Sequence, residues 1–165
     1  MPEWLAEFVP QVYRFALRIT GNRHGAEDLT QETFLRAWQR RQQLRDRRAA
    51  RVWLFRIAAN LQSDEFRRSD SHPGKIATLT EPLMDQVAAS SHTPQQGIEI
   101  EEDLRQALEW LDALPPRQRA VLYLTAVEEL SLSEVGEVLQ IEKNTAKVNL
   151  SLARKRMRQK VSQQT

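Results

Sequence analysis

Apolar positions in this chain recur at three- and four-residue spacing, and nowhere alternate over a run long enough for a strand. Leu5, Phe8, Val12, Phe15 or Ala16, and Ile19 mark a first helix, which Gly21 is placed to stop. A second is predicted from about Gly25, with Glu27 and Asp28 in its first turn, where carboxylates suit the helix dipole. A third runs from about Ala49 to Arg68, with Trp53, Ile57, Leu61 and Asp64 in line, and Trp53 reads as core because it shares that stripe. The pattern lapses near residue 70 and resumes near Glu101. Leu104, Leu108 and Leu111 mark one helix and Val121, Leu122 and Leu124 another, with Pro115 and Pro116 between them, since proline suits a helix start but not its interior. The expected fold is all-α: two small helical domains, residues 1–70 and 104–165, joined by a flexible linker over 71–103.

The stretch SEVGEVLQIEKNTAKVNLSLARK, residues 133–155, reads as two short helices with a bend. A helix-turn-helix needs a small residue where its helices cross and a tight turn before the second. Gly136 meets the first need, Ser131 or Ser133 caps the first helix with Glu134 early in it, and Gln140 stands where glycine would relieve the turn. The second helix is expected to begin near Asn144 or Thr145. At 100° per residue, Ala146, Leu150, Ala153, Met157 and Val161 share the buried side. Thr145, Val148, Asn149, Ser151 and Leu152 then point outward, flanked by Lys147, Arg154, Arg156 and Arg158. Such a face fits a DNA major groove: amides pair with adenine edges, apolar groups touch thymine methyls, and flanking cations hold phosphates. Two exposed apolar residues one turn apart fit a protein contact as well.

Charge sharpens the division into zones. The formal net charge is only +2, but the first 70 residues are arginine-rich. Over residues 71–103 the only Lys or Arg is Lys75, against Glu81, Asp85, Glu99, Glu101, Glu102 and Asp103. Turn formers dominate there too, so the segment reads as an acidic linker. There is no cysteine, which excludes disulfides, thiolate metal sites and cysteine nucleophiles. His24, His72 and His92 are far apart in polar contexts and read as solvated, with no metal site expected. No glycine loop for phosphate and no nucleophile–base pattern is present, so neither an enzyme nor a cofactor is expected. No run approaches membrane-spanning length and the amino terminus lacks a leader pattern, so a cytoplasmic chain without membrane insertion is expected.

AEDLTQETFLRAW (26–38) with RVWLFRIAANLQSDEFRR (51–68), followed by LPPRQRAVLYL (114–124) and the helix-turn-helix, resembles the extracytoplasmic-function (ECF) class of bacterial RNA polymerase sigma factors over nearly the whole chain. The resemblance implies a subunit that lends promoter recognition to core RNA polymerase, with a sigma-2 domain first and a sigma-4 domain last. It implies that the AEDLTQETF helix docks on the clamp coiled coil of the polymerase. The helical wheel agrees, with Asp28, Gln31, Glu32, Leu35 and Gln39 on one face and Ala26, Leu29, Thr33 and Ala37 on another. An exposed leucine among acids and amides has the composition of an interface.

The resemblance further implies that the segment after that helix, with the WL..IA.N...D...RR helix, holds the upstream edge of the promoter bubble and takes a flipped base of the −10 element. The cations available are Arg47, Arg48, Arg51, Arg56, Arg67 and Arg68, with Asn60 as a base or backbone contact. The −35 element falls to Asn144, Thr145, Lys147, Val148, Asn149, Ser151, Leu152, Arg154 and Arg158. The linker would thread the polymerase cleft, although a solubilising tether explains its composition equally. An anti-sigma factor is the implied regulatory partner. Family members usually read GTVKSRLxRAR where this chain reads NTAKVNLSLAR, which replaces two customary arginines by Asn149 and Leu152, and Ala59 stands where a basic residue is common. The departures imply an unusual −35 preference and leave a second reading open, a sigma-like adaptor acting through protein contacts.

Overall fold

A computed structural model describes residues 1–69 and 102–164, and every regular element among them is helical. The linker expected over 71–103 lies outside the described residues except at its end, where Glu102 and Asp103 already belong to a helix. The elements are α1 (Glu3–Ala6), α2 (Val9–Thr20), α3 (Arg23–Gln39), α4 (Ala50–Ser69), α5 (Glu102–Asp112), α6 (Pro116–Ala126), α7 (Leu132–Leu139) and α8 (Lys143–Gln164), with short 3-10 turns at Arg41–Gln43 and Arg47–Ala49.

Local chemistry explains the boundaries. The expected first helix is two, because the chain breaks at Glu7 and Phe8 and restarts with Pro10 in the first turn of α2. Gly21 ends α2 in the left-handed region, at φ 78°, and donates its N–H to Leu17 O. Asn22 then caps α3 by accepting the Gly25 N–H at 2.6 Å, so α3 starts two residues earlier than its acids suggested. Arg105 bridges Glu102 and Glu109 on successive turns of α5, which extends that helix into the acidic segment.

Helices α2, α3 and α4 pack as one unit, and α6, α7 and α8 as a second, with α5 laid across α6 and α8. Ala26, Leu29, Thr33 and Ala37 are buried on α3, and Trp53 on α4, as their spacing required. The units are not separate, however: α2 packs on α6 and α4 on α7, and one apolar cluster runs through both. Phe15 is central to it. Its ring lies 5.1 Å from Phe55 and 6.1 Å from Tyr123, the latter nearly parallel.

Charged groups are buried beside these rings. Arg18 Nη1 donates to both carboxylate oxygens of Asp112 at 3.0 Å, with the two residues 6% and 7% exposed. Arg119, 4% exposed, donates to Arg18 O at 3.0 Å and to Leu114 O at 3.1 Å. Burial pulls the Arg119 guanidinium below its ordinary pKa, with Asp112 opposing the shift and Arg18 adding to it. Tyr123 donates to Glu128 Oε1 at 3.1 Å, and burial followed by the neighbouring Glu128 carboxylate pushes its phenol well above the usual range. Removing one partner of such a buried pair strands the other, at about 3–5 kcal/mol.

Truncating Phe15→Ala is expected to cost about 3–5 kcal/mol. Urea denaturation should also show α6 and α4 losing protection together; loss confined to the first unit would contradict the shared cluster.

Candidate nucleic-acid interface

The helix-turn-helix is built by three local devices. Ser131 Oγ accepts the Glu134 N–H at 3.1 Å while Glu134 Oε1 accepts the Ser131 N–H at 2.9 Å, a reciprocal capping box that starts α7. A Cβ on Gly136 would stand 2.8 Å from the Ile141 carbonyl oxygen, so only glycine allows the bend to fold back on α7. Gln140 makes that bend in the left-handed region, at φ 54°, where a side chain is strained. Glu129, in the turn before α7, is held likewise at φ 56°.

Helix α8 buries Ala146, Leu150 and Ala153, with Met157 partly covered. Val161, expected on that stripe, is 53% exposed, although α8 still reaches α5 beyond it, where Gln164 donates its amide to Gln106 Oε1 at 3.1 Å. Val148 and Leu152 stand in the open at 49% and 43%, as expected of the reading face. Asn144, Lys147, Ser151, Arg154 and Arg158 are exposed, and Thr145 is half-buried. Asn149 departs from the expectation. It is 9% exposed and donates its amide to Thr145 O at 2.9 Å, so it is turned into the body and not toward a groove. Lys155, exposed three residues after Leu152, adds to the cationic border and was not among the residues the sequence assigned to it.

The arginines assigned to the first unit separate into groups. Arg56, Asn60 and Arg67 line a cavity of about 320 Å³ that Arg36 and Arg40 also border. Arg68 instead lines a cleft of about 760 Å³ between α3 and α4, together with Asp28, Gln31, Glu32 and Leu35. Arg47 lies over the Trp4 ring at 5.1 Å, and Arg48 is exposed in the turn capped by Asp46. Arg51, expected to face DNA, is half-buried with Nη1 3.9 Å from Glu128, a contact between the units.

The outer face of α3 is assembled as expected. Asp28, Gln31, Leu35 and Gln39 are exposed, Leu35 at 51%, and Glu32 is held 2.9 Å from Arg36. Trp38 was not anticipated there: it is 40% exposed, one turn beyond Leu35, with the Arg41 guanidinium 4.1 Å over its ring.

Sigma-70 region 2 matches residues 4–72, and Sigma-70 region 4 matches residues 104–157. The ECF RNA polymerase sigma factor SigW of Bacillus subtilis (strain 168) is 32% identical over 92% of this chain and 83% of its own length. This chain belongs to the ECF RNA polymerase sigma factors. SigM of the same strain is 31% identical over 92% of this sigma factor and 88% of its own length. SigE of Mycolicibacterium smegmatis is 36% identical over 96% of the chain, which spans 61% of that relative's length. The sigma factor RpoE of Bartonella quintana, solved in complex with the anti-sigma factor NepR, shares the fold: TM-score 0.71 at 21% identity, covering 96% of this chain and 94% of that one. The fold of this sigma factor is thus the family's, with its two described units corresponding to the two matched regions.

Gly136→Ala is expected to destabilise the second unit by about 1–3 kcal/mol, because the clash is with backbone. Gln140→Gly should stabilise it by about 1 kcal/mol by relieving the left-handed strain. Thermal denaturation checks both signs, and a destabilising Gln140→Gly would contradict the strain. Asn149→Ala should leave base preference unchanged in a selection from random duplexes, since its amide is satisfied within α8.

Proposed function

We propose that this sigma factor binds core RNA polymerase through the outer face of α3 and directs initiation at promoters read by α4 and α8. The observation that carries this reading is the pairing, on one chain, of an exposed Leu35 among Asp28, Gln31 and Gln39 with an open α8 face bordered by Lys147, Arg154 and Arg158. Leucine anchors a protein contact and the polar ring sets its register. On α8, apolar Val148 and Leu152 suit thymine methyls, while the cations neutralise phosphates without reading sequence. On α4, Arg56, Asn60 and Arg67 supply cations and an amide for an unstacked strand.

No metal-holding cluster of His, Cys, Asp or Glu occurs among the described residues, and no helix among them is long and apolar enough to cross a membrane. The chain acts as a regulatory subunit in the cytoplasm, where core polymerase and promoter DNA are, and an anti-sigma factor is its natural inhibitor, as NepR is the partner of the RpoE structure. The exposed Val148 and Leu152 pair also suits an adaptor acting through protein contacts. Transcription in vitro with sigma-free core on fragmented genomic DNA separates the two. RNA 5′ ends preceded by two short motifs at fixed spacing support the sigma reading, and binding to core without starts supports the adaptor.

Asp28→Arg and Leu35→Asp should each lower affinity for core at least about ten-fold with the helical content unchanged. Arg158→Ala should weaken all promoter duplexes alike and lower the salt slope by about 1. Loss of discrimination at a single base pair would contradict the phosphate role of Arg158.

A further inference from the structure

The outward face of α8 is apolar along its centre and cationic at its edges. Val148 and Leu152, both exposed, are four residues apart, so they lie about 6 Å apart along the helix axis and about 40° apart around it. Exposed Lys147, Arg154 and Arg158 flank that stripe, and exposed Lys155 follows it. No aspartate or glutamate occurs anywhere from Lys143 to Gln164. A helix without one carboxylate is complementary to a polyanion, and its apolar centre must then meet something apolar on that polyanion.

Side chains that read a hydrogen-bond code are missing from the centre of this face. Asn149 is buried with its amide on Thr145 O, 2.9 Å away. No guanidinium stands between Val148 and Leu152, where one would pair with guanine O6 and N7. Thr145 and Ser151 carry hydroxyls, which donate or accept and so tolerate an acceptor or a donor on the base. The apolar group that a duplex presents in its major groove is the methyl on C5 of a pyrimidine. Thymine carries it, and so does cytosine once methylated at C5. The two bases differ at C4, with an O4 acceptor on one and an N4 donor on the other, and neither Val148 nor Leu152 has a polar side-chain atom to tell them apart.

We propose that Val148 and Leu152 read C5 methyl groups in the −35 element, so that 5-methylcytosine serves there in place of thymine and methylation of cytosine turns a poor site into a good one. The inference deepens, and rests on, the reading of α8 given above. The rise between the two side chains matches methyls about two base-pair steps of ~3.4 Å apart. Burying one methyl corresponds to about a four-fold gain in affinity, and two independent contacts multiply to about sixteen-fold. Lys147, Arg154 and Arg158 hold phosphates whatever the base, so methylation selects the site without changing the number of phosphates neutralised.

Holoenzyme assembled from the full-length chain and core polymerase first selects fragments of genomic DNA, and the upstream motif shared by the bound fragments defines the −35 element. Deoxyuridine then replaces thymidine at each position of that motif in turn, which removes the methyl and leaves every hydrogen-bonding group in place. At the same positions, cytosine·guanine pairs with and without the C5 methyl replace adenine·thymine. Competition binding is measured for the wild type and for Val148→Ser and Leu152→Ser, which remove the apolar groups at exposed sites and leave the core of α8 intact.

Deoxyuridine is expected to weaken binding about four-fold at two positions about two base pairs apart, and 5-methylcytosine to bind about four-fold more tightly than cytosine at those same positions. Val148→Ser should abolish the methyl dependence at one position and Leu152→Ser at the other, with the salt slope of the wild type unchanged by methylation. Equal affinity for thymidine and deoxyuridine throughout the motif overturns the proposal, as does a methyl dependence that survives both substitutions. In either case a shared upstream motif that is still weakened by Arg158→Ala leaves α8 as the −35 helix. Fragments with no shared upstream motif, together with weaker binding of core by Val148→Ser, remove that reading as well and assign the stripe to a protein contact.

Discussion

The packing of Phe15 against the tilted ring of Phe55 and the nearly parallel ring of Tyr123 is the contact on which the architecture turns. Neither helical unit is large, and small domains bury a low fraction of the surface their unfolded chains expose. Joining α2 and α4 to α6 and α7 gives both units a common interior. The same joint fixes the outward faces: it leaves Leu35 on α3 and Val148 and Leu152 on α8 in solvent, and it draws Arg51 and Ala59 inward. Placement of the interfaces is therefore a consequence of how the cores merge as much as of each helix's own amphipathicity.

What was legible in the sequence was local. The serine cap of α7, left open between Ser131 and Ser133 and resolved to Ser131, Gly136 at the crossing, strain at Gln140 and the Gly21 stop depend on residues within a turn or two of each other. The arginine-rich first unit was visible as composition. The α3 face was readable because its two sides differ cleanly, Ala26, Leu29, Thr33 and Ala37 inside and Asp28, Gln31 and Leu35 outside.

What was hidden was burial on two sides of one helix. Helix α4 buries Leu54 and Ala58 along one stripe and Phe55, Ala59 and Ser63 along another, so a search for one apolar stripe sees half of its partners. Arg18 looks like a surface cation until the second unit supplies Asp112, and Arg119 until the first unit supplies the Arg18 carbonyl, each across about a hundred residues of sequence. Asn149 shows the same limit in reverse: the wheel placed it on the outward reading face, and an amide short enough to bond Thr145 O withdrew it. The site was thus foreseeable in its residue types and only partly in its membership. Arg68 faces the α3 cleft, Arg47 lies on Trp4, and Lys155 and Trp38 join faces from which the sequence reading left them out.

On the proposed reading polymerase takes one helix and promoter DNA two others, and the merged core leaves the outward faces of α3 and α8 in solvent while α7 packs on α4. The measurement that tests this account most directly is native-state hydrogen exchange on the free full-length chain. The account predicts that the slowest amides of α2 and α6 open with one common free energy, as members of a single cooperative unit. Two distinct opening free energies, one for α2 with α4 and another for α6 with α8, would show two independent domains and contradict it.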